Sequence, residues 1–312
     1  MGLLAGTLYD PSTAASGAVS SLQAMTALDT TNLRLTFTAP SNGAVRVVMR
    51  SNVSGATTSP SILLGVLDGA TVRGRQVPHH GRFTAGATQY ETVTASFLVT
   101  GLTAGQSYTW DAAVGVEFAV ASSVLKWGGP NNSTASDAWG GFAFEIWDTP
   151  ELLAGAMYDP STAATIAISA GAAMTALDTS NLRLSFVCPS SGIVLVRLRG
   201  GAHGATSTGA VLLGVLDGAT VRGRMSAAQG INEIGTIVST DSVVYSTAFL
   251  VSGLTPGNSY TWDAARGVEL AAPSGVLRWG GPDNSTQDDA SGGFLFEILN
   301  PKYHIYDSGM VV

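Results

Sequence analysis

Apolar and polar residues alternate along several short segments of the chain. In 33–37, Leu33, Leu35 and Phe37 fall on one side of an extended backbone and Arg34 and Thr36 on the other, the period of a strand with one buried face. The segments 44–50 (AVRVVMR), 93–99 (VTASFLV), 107–118 (SYTWDAAVGVEF) and 141–147 (GFAFEIW) read as further strands. Turn-forming clusters separate them, PSNG at 40–43 and GLTAG at 101–105. In LLGVLDGATVRGR, residues 63–75, Asp68-Gly69 stands between two extended runs. Asp-Gly supplies the positive φ values of a two-residue type I′ turn, so this stretch predicts a β-hairpin. The Ala-rich stretch 13–28 fits a short helix or an irregular strand.

The same pattern is written twice. LLGVLDGATVRGR returns letter for letter at 212–224, LLAGTLYDPSTAA (3–15) returns as LLAGAMYDPSTAA (152–164), and ALDTTNLRLTF (27–37) as ALDTSNLRLSF (176–186), an offset of 149 residues (152 − 3). SYTWDAAVGVE (107–117) and WGGPNNST (127–134) return at 259–269 and 279–286 with an offset of 152 (259 − 107). The three added residues fall where 76–92 faces 225–244, the one stretch in which the copies share almost nothing. The chain therefore divides into a first copy over 1–149, a second over 150–299 and a tail over 300–312, with Thr149-Pro150-Glu151 as the joint. Eight or nine strands per copy predict an all-β protein of two tandem β-sandwich domains of jelly-roll type.

Composition adds to this outline in a few places. A chain with 45% apolar and 12% charged residues is expected to fold, and strands whose outward positions carry Thr and Ser suit packing against other protein chains. The formal net charge is −7 and the positive charges are scattered as single arginines, with only two lysines, Lys126 and Lys302. No basic stripe can track a phosphate backbone, so nucleic acid is not expected as a partner. Cys188 is the only cysteine, which excludes an intramolecular disulfide and suits a small buried side chain. The amino terminus has no basic segment before its short apolar stretch, and no run of about 20 apolar residues follows, so neither a signal peptide nor membrane insertion is expected.

The chemistry-bearing residues are few. There is no Gly-x-Ser-x-Gly elbow, and none of His79, His80, His203 and His304 recurs in the other copy, although a duplicated catalytic site would keep its base. The chain is not expected to be an enzyme or to need a cofactor. His79 and His80 are adjacent and point to opposite sides of an extended chain, so no zinc site is expected. Asp10, Asp29, Asp68, Glu117 and Glu145 recur as Asp159, Asp178, Asp217, Glu269 and Glu297. Such carboxylates could pair for glycoside hydrolysis or hold calcium, but their Asp-Pro, Asp-Thr and Asp-Gly contexts fit turns and strand ends better. Trp110 and Trp262 are expected in the core or between subunits. Trp127 and Trp279 precede Gly-Gly-Pro at a loop edge, where an indole either stacks on a sugar ring or anchors the loop. The divergent loop offers the remaining candidates for ligand binding, His79, His80, Arg82, Phe83 and Tyr90, since recognition usually resides in loops on a rigid scaffold.

The run LYDPSTAA, ALDTTNLRLTFTAPSNGAVRVVMR, LLGVLDGATVRGR, GLTAGQSYTWDAAVGVE and WGGFAFEIWD resembles repeated domains in minor tail proteins of phages that infect actinobacteria, across both copies. In layout, FTAPSNG and FVCPSSG followed late by GGFAFEIW and GGFLFEIL are similar to jelly rolls of the C1q and tumour-necrosis-factor type. The resemblance implies a non-enzymatic virion protein, in the tail rather than the head, that forms a homotrimer, contacts other virion proteins and attaches to host-surface glycan. No collagen-like or heptad segment is present to force a trimer, so association would come from the domains themselves. A capsid decoration protein that binds only virion proteins is the second expectation, and a glycan-active enzyme the third. GLTPGNSYTW also resembles the fibronectin type III signature near its tyrosine corner, which makes fibronectin- or immunoglobulin-like sandwiches the alternative fold, although copies near 150 residues exceed that domain's roughly 100.

Overall fold

The computed structural model describes residues 2–20, 24–54, 62–78, 90–116, 122–130, 139–168, 173–203, 211–229, 233–234, 242–268, 275–281 and 292–301. The first copy contributes β1 (Leu3–Tyr9), β2 (Ala15–Ser20), β3 (Thr26–Ala27), β4 (Arg34–Thr38), β5 (Val45–Ser54), β6 (Ile62–Asp68), β7 (Thr71–Gln76), β8 (Tyr90–Val99), β9 (Ser107–Val116), β10 (Ser122–Trp127) and β11 (Phe142–Asp148). All pairings are antiparallel. β1 lies on β11 and β2 on β10, β11 and β10 lie along one side of β5, and β8 lies along the other. In the second sheet β3 and β4 both pair with β9, followed by β6 and then β7.

With β1 and β2, β3 and β4, and β10 and β11 each taken as one interrupted strand, there are eight strands. Their order is 1-8-3-6 in one sheet and 2-7-4-5 in the other. This is the path of a jelly roll. An immunoglobulin-type sandwich keeps its first strand beside its second; here the first lies beside the last, which removes the fibronectin alternative.

The second copy repeats the order with β12 (Leu152–Tyr158), β13 (Ala164–Ile168), β14 (Thr175–Ala176), β15 (Arg183–Val187), β16 (Val194–His203), β17 (Val211–Asp217), β18 (Thr220–Ser226), β19 (Ala228–Gln229), β20 (Glu233–Ile234), β21 (Ser242–Val251), β22 (Ser259–Val268), β23 (Gly275–Trp279) and β24 (Phe294–Leu299). Each sheet draws its strands from one copy only. Among the described residues, β19 and β20 have no counterpart in the first copy. β19 pairs with Tyr245 and Ser246 of β21, so part of the divergent segment, which carries the three inserted residues, extends the sheet at its edge.

The alternation read from the sequence is what fills each sandwich. Leu33, Leu35 and Phe37 meet Val45, Val47 and Met49 from the facing sheet, with Phe97, Trp110, Phe142 and Phe144 between them, and the second copy builds the same core around Trp262. Phe37 meets the Trp110 ring edge-on at 4.7 Å and lies nearly parallel to Tyr108 at 5.9 Å. The Tyr108 hydroxyl accepts the Thr103 N–H at 3.0 Å and Tyr260 accepts that of Thr255 at 2.9 Å. A tyrosine-corner contact is therefore present on a jelly-roll path, which explains why the local signature pointed to another sandwich.

Two local expectations change. Residues 15–20 and 26–27, inside the Ala-rich stretch, are strands, and no α-helix occurs among the described residues. The hairpin at 63–75 forms, but Asp68 pairs with Thr71, so the two-residue loop is Gly69-Ala70. Gly69 takes φ of +61°, a value costly for any residue with a Cβ. Asp68 serves the hairpin through its side chain instead, pairing with Arg73 at 2.6 Å across the turn.

Candidate functional site

Of the sequence candidates, His79, His80, Arg82 and Phe83 lie outside the described residues. Tyr90 opens β8, where its backbone is opposite Ser54. In sequence these residues connect β7 of one sheet to β8 of the other.

Trp127 and Trp279 are corrected as sugar-stacking candidates. Each is 2% exposed, and each meets a core phenylalanine, Phe142 or Phe294, edge-on at 5.6 Å. The glycines that follow explain the burial. Gly128 at φ +74° donates its N–H to Gly140 at 2.7 Å, and Gly129 donates to the Pro11 carbonyl at 2.8 Å. A Cβ on Gly128 would stand 2.5 Å from that carbonyl oxygen. Trp-Gly-Gly thus clamps the turn after β1, and Gly280 and Gly281 clamp Pro160 in the same way. The indoles are anchors with no free ring face.

Most of the recurring carboxylates among the described residues are engaged in the scaffold; Asp10 is exposed. The Asp29 carboxylate accepts the N–H groups of Thr31 and Asn32 and the Asn32 side-chain amide, and Asp178 repeats this with Ser180 and Asn181. Asp217 pairs with Arg222 at 2.7 Å, and Glu145 accepts the Trp147 indole N–H at 2.9 Å. Glu117 and Glu269 lie outside the described residues. Among the described residues no three His, Cys, Asp or Glu side chains gather as metal ligands would. Cys188 is buried, and burial pushes its thiol pKa up.

At Asp29 and Asp178 burial pushes the carboxyl pKa up, and the hydrogen bonds outweigh it, so both values sit below the ordinary one. A depressed folded-state pKa adds stability above the unfolded value, lost as pH falls through the folded one. The urea midpoint is therefore expected to fall between about pH 4 and pH 2, and less steeply in a variant carrying Asp29→Asn and Asp178→Asn. Equal slopes in the two proteins would refute this role.

The most elaborate polar site is the contact between the copies. The edge strands of the first copy, β7 and β8, meet the outer face of the second copy's β12-β24-β16 sheet. Arg75, at the end of β7, pairs with Asp159 at 2.9 Å and donates to the Gly281 carbonyl, while its own carbonyl accepts the Gly293 N–H. Arg199 reaches back to the Val77 carbonyl at 2.7 Å; burial lowers its pKa to about 9, so it stays charged at neutral pH. Arg46 on β5 pairs with Glu297 on β24. Apolar contacts surround these groups: Leu98 packs with Ala44, Leu295, Leu152 and Met157, and Val244 with Leu63 and Val77.

Of these residues the sequence singled out only Asp159 and Glu297, as recurring carboxylates, and not for this contact. One signal was available. Leu98 and Leu250 occupy outward positions of β8 and β21 where Thr and Ser would keep the alternation, so both copies carry a misplaced apolar side chain on the corresponding strand.

With strand order and contact geometry established, the chain can be set beside known proteins. No family model matches it, and no curated protein matches it by sequence. Among solved structures it is similar in layout to the tandem CBM22 domains of Paenibacillus barcinonensis Xyn10C, at 12% identity over 96% of this chain and 97% of that one, with a TM-score of 0.23. Tandem CBM51 modules of a family 98 glycoside hydrolase from Streptococcus pneumoniae align at 13% identity over 94% of this chain and 99% of theirs, with a TM-score of 0.19. The VP2 subviral particle of infectious bursal disease virus aligns at 11% identity over 98% of this chain and 85% of its own, with a TM-score of 0.18. Superpositions this loose carry no functional argument. The fold rests on strand order.

Proposed function

We propose that this chain is a non-enzymatic structural protein of a phage particle, a minor tail or tail-fibre protein that assembles through its jelly rolls, as a homotrimer, and presents loops to host-surface glycan. The observation that carries the reading is the edge-to-face docking of the two copies, in which the chain's most elaborate polar network holds protein to protein. The recurring carboxylates support it, because hydrogen bonds and ion pairs within the scaffold occupy most of them. The resemblance of the repeated motifs to actinobacterial phage tail domains supplies the particle and the place in it. No membrane insertion or nucleic-acid partner belongs to this reading.

Immunogold labelling of particles tests it, with gold expected on the tail. Gold on the head would replace the tail reading with capsid decoration. Purified protein is then expected to sediment with host cell-wall fractions, and a variant with His79, His80 and Tyr90 changed to Ala to lose most of that binding while keeping its melting temperature. Unchanged binding would refute the loop as the recognition surface, and sugar release from the fractions would refute the non-enzymatic reading.

A further inference from the structure

The contact between the copies uses an edge of one and a face of the other, so the chain is left with one unused surface of each kind. On the first copy's edge, Arg75, Gln76 and Leu98 are buried; their counterparts Arg224, Met225 and Leu250 are exposed, Met225 by 49% and Leu250 by 62%. On the second copy's face, Leu152 and Met157 are partly buried against Leu98 and Leu295. Their counterparts Leu3 and Leu8 are 53% and 70% exposed. Among the described residues the exposed large hydrophobic side chains are Leu3, Leu8, Val187, Val221, Met225 and Leu250. Four of the six thus lie on the two unused surfaces, a clustering that marks an interaction surface.

We infer that the unused edge of one molecule docks on the unused face of a second copy of this chain, head to tail, in the manner of the contact already made inside each chain. The polar groups needed for it are in place and unengaged. Asp10, Arg50 and Arg224 are exposed, and among the described residues none has a hydrogen-bond or ion-pair partner. Across the new contact Arg224 meets Asp10 as Arg75 meets Asp159, and reaches the Gly129 carbonyl as Arg75 reaches that of Gly281. The Arg224 carbonyl receives the Gly141 N–H, and Arg50 reaches the Ser226 carbonyl as Arg199 reaches that of Val77. Leu250 then covers Gly6 and Ala143, as Leu98 covers Gly155 and Leu295.

Several positions differ, among them Met225 for Gln76, Ser226 for Val77, Leu8 for Met157 and Ala143 for Leu295. Leu195 stands where Arg46 does, so Glu145 lacks the partner that Glu297 has and keeps the Trp147 indole instead; Thr92 replaces Val244. The contact between molecules therefore lacks the buried ion pair and is weaker than the one within them. Because edge and face are different surfaces, the contact is heterologous and either closes into a ring or continues as a filament. The inference deepens the self-association in the proposed function and requires nothing of its host-binding part.

Light scattering after size exclusion tests it on the full chain. The wild type is expected to run at a multiple of its 31.8 kDa mass. Leu8→Asp spoils the face and Leu250→Asp the edge; both alter exposed side chains, and each variant alone is expected at 31.8 kDa. An equimolar mixture of the two keeps one good edge and one good face, so it is expected to form a 1:1 dimer near 64 kDa (2 × 31.8) and nothing larger. Arg224→Glu is expected to weaken wild-type association at least about tenfold. A wild-type mass of one chain at the highest soluble concentration would overturn the inference, as would a variant that still associates alone or a mixture that stays monomeric. A failed host-binding assay beside a 64 kDa mixture would remove only the attachment reading.

Discussion

Replacing Arg46 by Ala is expected to cost about 3–5 kcal/mol of stability, the largest effect available to a single charged residue between the two copies. Glu297 is 0% exposed and Arg46 is its ion-pair partner. Removing the guanidinium takes from a buried carboxylate its ion-pair partner across the contact and leaves Arg197, its cross-strand neighbour on β16, as the nearest paired cation. The penalty is for the charge left less compensated. The pair itself contributes far less, because burying both ions has already cost most of what their attraction returns. Changing Arg46 and Glu297 together to Leu is therefore expected to leave stability within about 1 kcal/mol of the wild type or to raise it. Urea denaturation of the two single variants and the double variant measures this directly. A loss below about 1 kcal/mol for Arg46→Ala would mean that water reaches the pair.

Trp262→Ala is expected to cost about 3–5 kcal/mol. The indole is fully buried, with Phe186 edge-on at 4.8 Å and Tyr260 at 6.1 Å, so truncation leaves a cavity that rigid strands on both sides cannot fill. Its ring N–H has no acceptor, so Trp262→Phe is expected to be much milder, removing volume and an unsatisfied donor together. Differential scanning calorimetry of Trp262→Ala should resolve two transitions, the second copy melting before the first. A single unshifted transition would show that the site collapses around the lost ring.

How far the sequence revealed this molecule depends on what kind of contact is asked about. Strands such as 34–38 and 142–148 were legible because one neighbour, the opposite sheet, dictates their alternation. The hairpin was legible because Asp68-Gly69-Ala70 is a local signal, although the turn is centred one residue later than the dipeptide suggested. The docking of the copies was not legible, for a plain reason: LLGVLDGATVRGR is identical in both, yet Arg75 is buried and Arg224 exposed. No local pattern can distinguish two equal strings whose difference lies in what another part of the chain brings against them. Trp127 and Trp279 left two readings open in the sequence, and the loop anchor is the one the structure takes, because Pro11 and Pro160 close over the glycines that follow them.

The joint between the copies carries a final consequence. Thr149 and Glu151 are buried; Asn42 donates to the Thr149 carbonyl at 2.9 Å, the Thr149 hydroxyl donates to that of Ala44 at 3.1 Å, and Asn300 donates its N–H to the Glu151 carbonyl at 2.8 Å. Such a joint is a weld, not a tether. A protease that needs several residues of slack backbone will find none at Thr149-Pro150-Glu151, and limited digestion will not release intact halves there. A receptor that touches both copies must also match their fixed separation, since no linker can stretch to reach it. The tandem then acts as a gauge that admits partners by spacing as well as by chemistry.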